Sequence, residues 1–396
     1  MSRAIHDLRQ MDMSMPQLVF PPSIFDPIAR LFAFKMGSGA MARMSLLDTM
    51  RLARPLQCSD NRDRIYGLLD LDFTSVANPK ELALLTAIVP DYTKSTIQVY
   101  RDFAVLAFDF GIVGEMLRVI HHGPTLEEWH KGSAPSWMPR WDKYYSQDFP
   151  ALSMYEEITP ANIATINRDP NHPSQAFCEP YLGGLSKTSL FIPGSRIACL
   201  TAVSDVLCDD DSVFNLECVV DFWTCHLHSF MSENTETNIN SDLCKALTFY
   251  FPSSHHIGVI VAYFEHNHLL RSRSGKQIKA SVMLESLRST LAKAEKRHGP
   301  VKNPVQTLWI FRTAITHALR STRLFLTNDG RIGLCSATAR VGDYVVLVYR
   351  AGCPMLLRPQ EAFYRLVGGS YVPSLNTTLA LSDVSLSSVA ESLDIR

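Results

Sequence analysis

Cys225, His226 and His228 fall close together in the chain, with Cys218 and Cys244 on either side and His266 and His268 further on. Thiolate and imidazole are the donors zinc selects, so metal binding is the chemistry such a cluster would offer. A structural zinc site draws on two pairs at defined spacing, such as C-x2-C with H-x3-H, whereas here the candidates are adjacent or one residue apart. On a strand, His226 and His228 would share a face while Cys225 pointed away. The pattern reads as half-buried cysteine and surface histidine, and no metal is expected.

Phosphate-binding signals are equally incomplete. Gly37-Ser38-Gly39-Ala40-Met41-Ala42 matches the dinucleotide fingerprint G-x-G-x-x-A, and Asp60 stands at a suitable distance beyond it. The fingerprint also needs that acid at the end of a second strand, and Arg54-Pro55-Leu56-Gln57-Cys58 does not read as one. A link between helices is the expectation there. Gly275-Lys276 has the ending of a P-loop, but Gln277 replaces the magnesium-holding Ser or Thr, and no glycine lies five places before Gly275. Asp209-Asp210-Asp211 lacks the glycine and closing glutamate of a calcium loop and reads as a solvated turn. No G-x-S-x-G, H-E-x-x-H or supported paired-carboxylate motif occurs, which lowers the expectation of an enzyme without removing it, since distant residues can assemble a site. No cofactor is expected.

The chain has the means to fold. Of its 396 residues 46% are hydrophobic and 19% charged, enough for two or three packed subdomains. Thirty-eight basic residues balance 39 acidic ones, so no nucleic acid or anionic membrane partner is expected. No apolar run reaches the roughly 18 to 20 residues of a membrane span. The opening stretch to Gln17 has scattered charges and no apolar core of a secretory signal. Nine cysteines without framework spacing fit reduced thiols in the cytoplasm.

The elements that would position any site follow from periodicity. Residues 1–57 read as a helical N-terminal segment, interrupted by Pro16, Pro21, Pro22 and Pro27. In 58–145, Ser59 or Asp60 is expected to cap a short helix bearing Ile65, Leu68 and Leu69. Ser95 and Gln98 form a capping box for a helix bearing Ile97, Tyr100, Phe103, Ala104 and Ala107, with Gly111 as its stop. The Trp- and Pro-rich piece Gly123–Pro150 should run extended across those helices. Residues 146–280 are a variable mixed region, with loop over 151–180, short strands over Ser189–Val206, a buried element over Val213–Phe230, and a polar, mobile stretch over 232–243. Residues 281–373 combine a helix from Ser281 to Gly299 and another after Pro304 with a β-meander or partial barrel. Its strands are Arg323–Thr327, Arg331–Cys335, Tyr344–Tyr349, Pro354–Arg358, Phe363–Val367 and Ser370–Val372, the first two joined by the hairpin signature Asn328-Asp329-Gly330. Residues 374–396 read as a loose tail. The fold class is thus mixed α+β: a helical N-terminal half, a variable middle with some strands, and a small C-terminal antiparallel β-meander.

Two stretches carry a family likeness. The first runs from Cys58-Ser59-Asp60-Asn61-Arg62-Asp63-Arg64-Ile65-Tyr66-Gly67-Leu68-Leu69 through Pro90-Asp91-Tyr92-Thr93-Lys94-Ser95 and Val99-Tyr100-Arg101-Asp102-Phe103-Ala104 to Pro135-Ser136-Trp137-Met138-Pro139-Arg140-Trp141. The second includes Arg323-Leu324-Phe325-Leu326-Thr327, Arg340-Val341-Gly342-Asp343, Pro354-Met355-Leu356-Leu357-Arg358 and Tyr364-Arg365-Leu366-Val367-Gly368. In order and spacing they resemble the region that follows the HET domain in fungal heterokaryon-incompatibility proteins. The resemblance spans about residues 51–372 and is weak between Tyr145 and Leu308. It marks Asp60, Arg62, Asp63, Tyr66, Asp91, Tyr92, Tyr100, Trp137, Trp141, Gly342, Asp343 and Arg358 as family-motif residues, with scaffold roles expected.

The resemblance implies non-self recognition and programmed cell death as the setting, and a protein partner, a full-length relative among the candidates. The family's HET domain, with its Y-x-x-L-S-Y-x-W-G motif, would begin well upstream of residue 50 and is absent from this sequence. The chain is therefore expected to be a regulatory or recognition segment without its effector, whether a truncated product, a mis-called start or a lineage that lost the domain. A partner could pair with an exposed edge at Pro354–Arg358. The alternative reading, an accessory protein or cryptic enzyme of a fungal biosynthetic pathway, requires a deep pocket drawing on the His and Cys of 218–268. A non-functional remnant would instead leave a large exposed apolar patch on the helices before residue 110.

Overall fold

The computed structural model describes residues 46–54, 56–69, 79–120, 122, 134–143, 181–183, 188–208, 214–228, 239–248, 258, 260–265, 276–298, 319–348, 351, 353–375 and 391–396. Helices α1 (Leu46–Ala53), α2 (Asp63–Tyr66), α3 (Pro79–Ala87), α4 (Thr96–Asp109) and α5 (Val113–Arg118) come first. Strands β1 (Tyr181–Gly183) and β2 (Ser189–Val203) follow, then α6 (Leu216–Phe222), a π-helical turn Trp223–Leu227, α7 (Ile239–Leu247) and α8 (Lys276–His298). The last group is β3 (Thr322–Thr327), β4 (Ile332–Ser336), β5 (Tyr344–Val348), β6 (Pro354–Pro359), β7 (Tyr364–Gly369) and β8 (Glu391–Ile395). The expected segment 1–45, the loop over 151–180 and the helix after Pro304 lie outside the described residues.

All eight strands form one mixed sheet ordered β4-β3-β2-β5-β6-β7-β8, with β1 on β2 and β8 also on β2. Both edges of β2 are occupied. Gly194 pairs with Val348 of β5 and with Glu391 of β8, which must lie on opposite sides of it. Beyond a bulge, the Leu200 N–H donates to the Asp343 carbonyl on one side, and Leu200 faces Thr327 of β3 on the other. The sheet therefore curls into a ring. It closes at one end through β8, whose Ile395 meets Tyr364 of β7, and at the other through paired bonds between Leu334 and Tyr371 of 2.8 and 2.9 Å. Every strand pair is antiparallel except β7–β8.

Side-chain alternation explains why these strands read as unbroken apolar runs. Phe325, Cys335, Val345, Leu356 and Val367, one from each of β3 to β7, share a core with Leu200 of β2. Their neighbours one residue away turn outward into other cores. Leu324, Leu326, Ile332 and Leu334 join Trp223, Leu243 and Leu287 of the middle helices. Val346, Val348, Met355, Leu357 and Leu366 join Tyr100, Phe103, Trp137 and Trp141 of the first helical layer. The ring is thus a filled barrel with helices packed on two outer faces, and β3 to β6 are buried on both faces.

Several expectations need correction. Ser189–Val206 is mostly one continuous fifteen-residue strand rather than short strands, because it serves four partners in turn. The expected meander of the last hundred residues is part of a larger sheet that draws in this middle strand. Pro354–Arg358 is no exposed edge, since β6 sits between β5 and β7. The loose tail is partly a strand, because Leu393 and Ile395 alternate inward while Ser392 and Asp394 do not. Within the stretch expected to be mobile, Ile239–Leu243 opens α7, which buries Ile239, Leu243, Cys244 and Leu247 on one helical stripe. Helix α8 starts at Lys276, five residues before Ser281. Ser370–Val372 is not a strand; it contributes the Tyr371 bridge to Leu334 and the Ser370 bonds to the Pro354 carbonyl.

Other expectations are met. Ser95 and Gln98 exchange the hydrogen bonds of a capping box, and α4 buries Tyr100, Phe103, Ala104 and Ala107. Gly111 (φ 71°) stops that helix and Gly330 (φ 83°) turns the β3–β4 hairpin, in the left-handed region glycine enters at least cost. At the ring's closure, a Cβ on Gly333 would stand 2.4 Å from both the Phe325 ring and the Tyr371 carbonyl oxygen. Gly333→Ala is expected to destabilise the fold by about 1–3 kcal/mol through forced displacement of backbone, measured as a lowered urea midpoint.

Candidate functional site

The twelve motif residues sort into three places. The first is a polar knot on the helical layer. Helix α2 was expected to begin at Ser59 or Asp60, but it begins at Asp63, and its N-cap Arg62 has no side-chain cap. The reason is that Asp60 spends its carboxylate on Arg62. Its Oδ1 accepts the Arg62 backbone N–H at 2.9 Å, and both oxygens accept the guanidinium at 2.6 to 3.1 Å. These bonds hold the Asp60 carboxyl below its usual range, the Arg62 side chain contributing most. The remaining arm of the guanidinium, Nη1, donates to the carbonyls of Tyr92 (2.5 Å) and Lys94 (2.9 Å), so Arg62 staples the Asp91–Lys94 turn to α2.

Five more motif residues complete the knot. The Tyr92 hydroxyl donates to Asp63 Oδ1 at 2.6 Å, which raises the phenol's pKa. Its ring meets Tyr66 edge-on at 5.3 Å and lies 5.1 Å from the Arg62 guanidinium carbon. Asp91 Oδ1 accepts from the backbone and hydroxyl of Thr93, bonds that lower its pKa, while the Tyr66 hydroxyl reaches the Asp91 carbonyl at 3.4 Å. Tyr100 donates to the Asn61 carbonyl at 2.7 Å, and its burial pushes the phenol far above its ordinary value. Lys94 pairs with Asp102 at 2.8 Å. Each charged group here is spent on a neighbour, which makes the knot a brace rather than a source of free acid or base.

Beside the knot lies a cleft of about 180 Å³ between α2, α3 and α4, lined by Ile65, Tyr66, Ile88, Val99, Phe103 and Leu106 among others. Lys94 and Asp102 also border it. Val89, at its rim, is 78% exposed, and Tyr92 and Leu82 are exposed too.

The second place is the interior of the helical layer. Trp137 and Trp141 are fully buried; Trp137 Nε1 donates to the Thr188 carbonyl at 2.9 Å. Trp141 lies under Arg54 (4.6 Å to the ring centroid) and edge-on to Phe103. The third is inside the sheet. Asp343 and Arg358, each 1% exposed by side chain, form a two-pronged ion pair at 2.7 and 2.9 Å. Asp343 Oδ2 also accepts the Arg340 N–H, and Arg358 donates to the Thr338 carbonyl at 2.7 Å. Gly342 (φ 93°) turns the chain into β5. The knot and the ion pair are separate features.

Among the described residues the metal candidates do not assemble. Trp223–Leu227 is a π-helical turn on which Cys225, His226 and His228 are exposed, while Cys218 bonds the Asp205 carbonyl and Cys244 is fully buried, its thiol pushed up. His266, His268 and Gly37–Ala42 lie outside the described residues. Among the described residues no group of His, Cys, Asp and Glu is arranged to hold a metal ion, and no helix is long and apolar enough to cross a membrane. Asp60 follows helix α1, not the strand a dinucleotide site requires.

Residues without a motif signal also carry structure. Asn240, buried on α7, accepts Trp223 Nε1 at 3.1 Å and donates to Ser286 and Thr290 of α8. Glu81, buried on α3, accepts the Leu46 N–H at the start of α1. Ser136 joins the layer to β7 through Leu366 N at 2.9 Å. Ser136 falls inside the motif stretch Pro135–Trp141 but is not among the residues singled out there. No family model, curated protein or solved structure matches the chain.

Proposed function

We propose that this protein is a regulatory or recognition segment of the fungal heterokaryon-incompatibility type, acting in the cytoplasm through a protein partner rather than through chemistry of its own. The observation that carries this reading is the position of the exposed apolar side chains. Of the five large apolar side chains exposed among the described residues, Leu82, Val89 and Tyr92 lie on α3 and the turn after it, whereas Val282 and Val341 lie elsewhere; Val89 borders the cleft, and Tyr92 is held by the knot of motif residues. Exposed apolar side chains gathered at a cleft mark an interaction site. The resemblance puts a HET domain directly upstream of this layer, so the partner proposed is the HET domain of a full-length relative, bound in trans. The edge of β6 has no part in it.

The test is binding of the purified chain to such a HET domain by surface plasmon resonance. Val89→Asp, which places a charge on an already exposed position, is expected to weaken binding at least tenfold, about 1.4 kcal/mol or more, without changing the thermal midpoint. Absence of binding by the unaltered chain, or equal binding by Val89→Asp, overturns the proposal.

A further inference from the structure

Helix α4 presents Val99, Phe103 and Leu106 to the cleft on one helical stripe, with Asp102 beside them. Ile88 and Val89, just past the end of α3, and Ile65 of α2 form other walls. The chain then runs from Val89 into the Asp91–Lys94 turn, which Arg62 staples to α2. The knot of motif residues thus holds two walls in place, and the space is built before anything enters it. A dry cavity of about 150 Å³ lined by Leu, Ile and Phe takes up benzene, and the cleft measures about 180 Å³. It therefore has room for one leucine, methionine or phenylalanine side chain, and not for a helix or a strand.

The mouth of the cleft has a sign. Lys94 and Asp102 are the charged residues of its lining, paired at 2.8 Å, and Asp91 stands 4.0 Å from the same ammonium. Two carboxylates thus share one cation, and Arg62, which bonds the same turn, is cancelled by Asp60. Asp91 holds its charge firmly, because the two bonds from Thr93 lower its pKa. The Lys94 and Asp102 side chains are 43% and 50% exposed, so their pair contributes little and Asp102 can take a second cation at little cost. Resting on the partner-binding reading of this face, we infer that the cleft anchors one apolar side chain of the partner, and that a Lys or Arg beside that residue pairs with Asp102 and Asp91. The apolar group supplies the affinity, and the excess carboxylate selects its neighbour.

Methyl NMR of the full chain with two probes, phenethylammonium and phenylpropionate, tests the anchor, since they share a ring and differ in the sign of their charge. Both are expected to shift the methyls of Ile65, Ile88, Val99 and Leu106, with Kd on the order of millimolar. The cation should bind about threefold more tightly at low salt, and the preference should fade as salt is added. Asp102→Asn should remove that preference, leaving one carboxylate against one ammonium. Leu106→Trp, which fills the cleft from a partly buried position, should abolish binding of both probes. Absence of methyl shifts in the unaltered chain, or equal affinity for the two probes, overturns the inference without recourse to any variant. Binding of the HET domain at full strength by folded Leu106→Trp overturns the anchor and leaves the partner reading standing. Probe binding as expected, with no HET-domain binding, overturns the partner named above but not the selection for an apolar group beside a cation.

Discussion

Arg358→Met, made alone, is expected to cost about 3–5 kcal/mol of stability, because it leaves the Asp343 carboxylate buried without its counter-charge. Asp343 is 0% exposed, and two of the three hydrogen bonds to its carboxylate come from this guanidinium. The Thr338 carbonyl loses its donor at the same time. The double variant Asp343→Leu/Arg358→Met should recover most of that loss, since a buried ion pair gains little over an apolar pair of similar volume. Urea denaturation of the two variants separates the outcomes. A single variant as stable as the parent would mean that water reaches the pair.

Trp137→Ala should be comparably damaging, by about 3–5 kcal/mol, read as a fall in urea midpoint. The side chain is 0% exposed within the core that joins the helical layer to β5–β8, and removing it also orphans the Thr188 carbonyl just before β2. Trp137→Phe and Trp141→Phe then make a sharper comparison. The buried Nε1 of Trp141 has no hydrogen-bond partner, so phenylalanine there removes a polar atom the fold leaves unsatisfied. Trp141→Phe is accordingly expected to be the milder of the two, although it also trims the ring beneath Arg54.

What the sequence revealed depended on whether the signal was local. The Ser95–Gln98 capping box, the Asn328-Asp329-Gly330 hairpin and the spacing of Tyr100, Phe103 and Ala107 are short-range patterns, and each is realised. The ring was legible only in part: runs such as Tyr344–Val348 announce strands, but nothing in them says which neighbour each strand takes. Residues 189–203 pair with partners near residues 182, 326, 346 and 393, separations that periodicity cannot encode. Short polar-rich elements misled for the opposite reason, since Glu391–Ile395 and Ile239–Leu247 hide two and five apolar side chains in compositions that look like linker. For the candidate site, the motif residues were identified individually, but that Arg62 would spend its fork on Asp60 and two carbonyls depends on a turn thirty residues away.

The late position of β8 has a bearing on how the molecule comes to be made. Residues 391–395 leave the ribosome after the other seven strands of the sheet, yet they complete one end of the ring, and Ser136 reaches Arg396 across 260 positions of sequence. Until then one border of β2, Leu190 to Gly194, has no β8 to pair with, and the apolar side chains that Leu393 and Ile395 cover stand open. Contacts that distant close slowly, and an unpaired border displayed by a growing chain is where wrong pairings start. Closure of the ring should therefore wait until those few residues have been made, with a slow last phase reporting their arrival, and the nascent chain should lean on chaperones up to that moment.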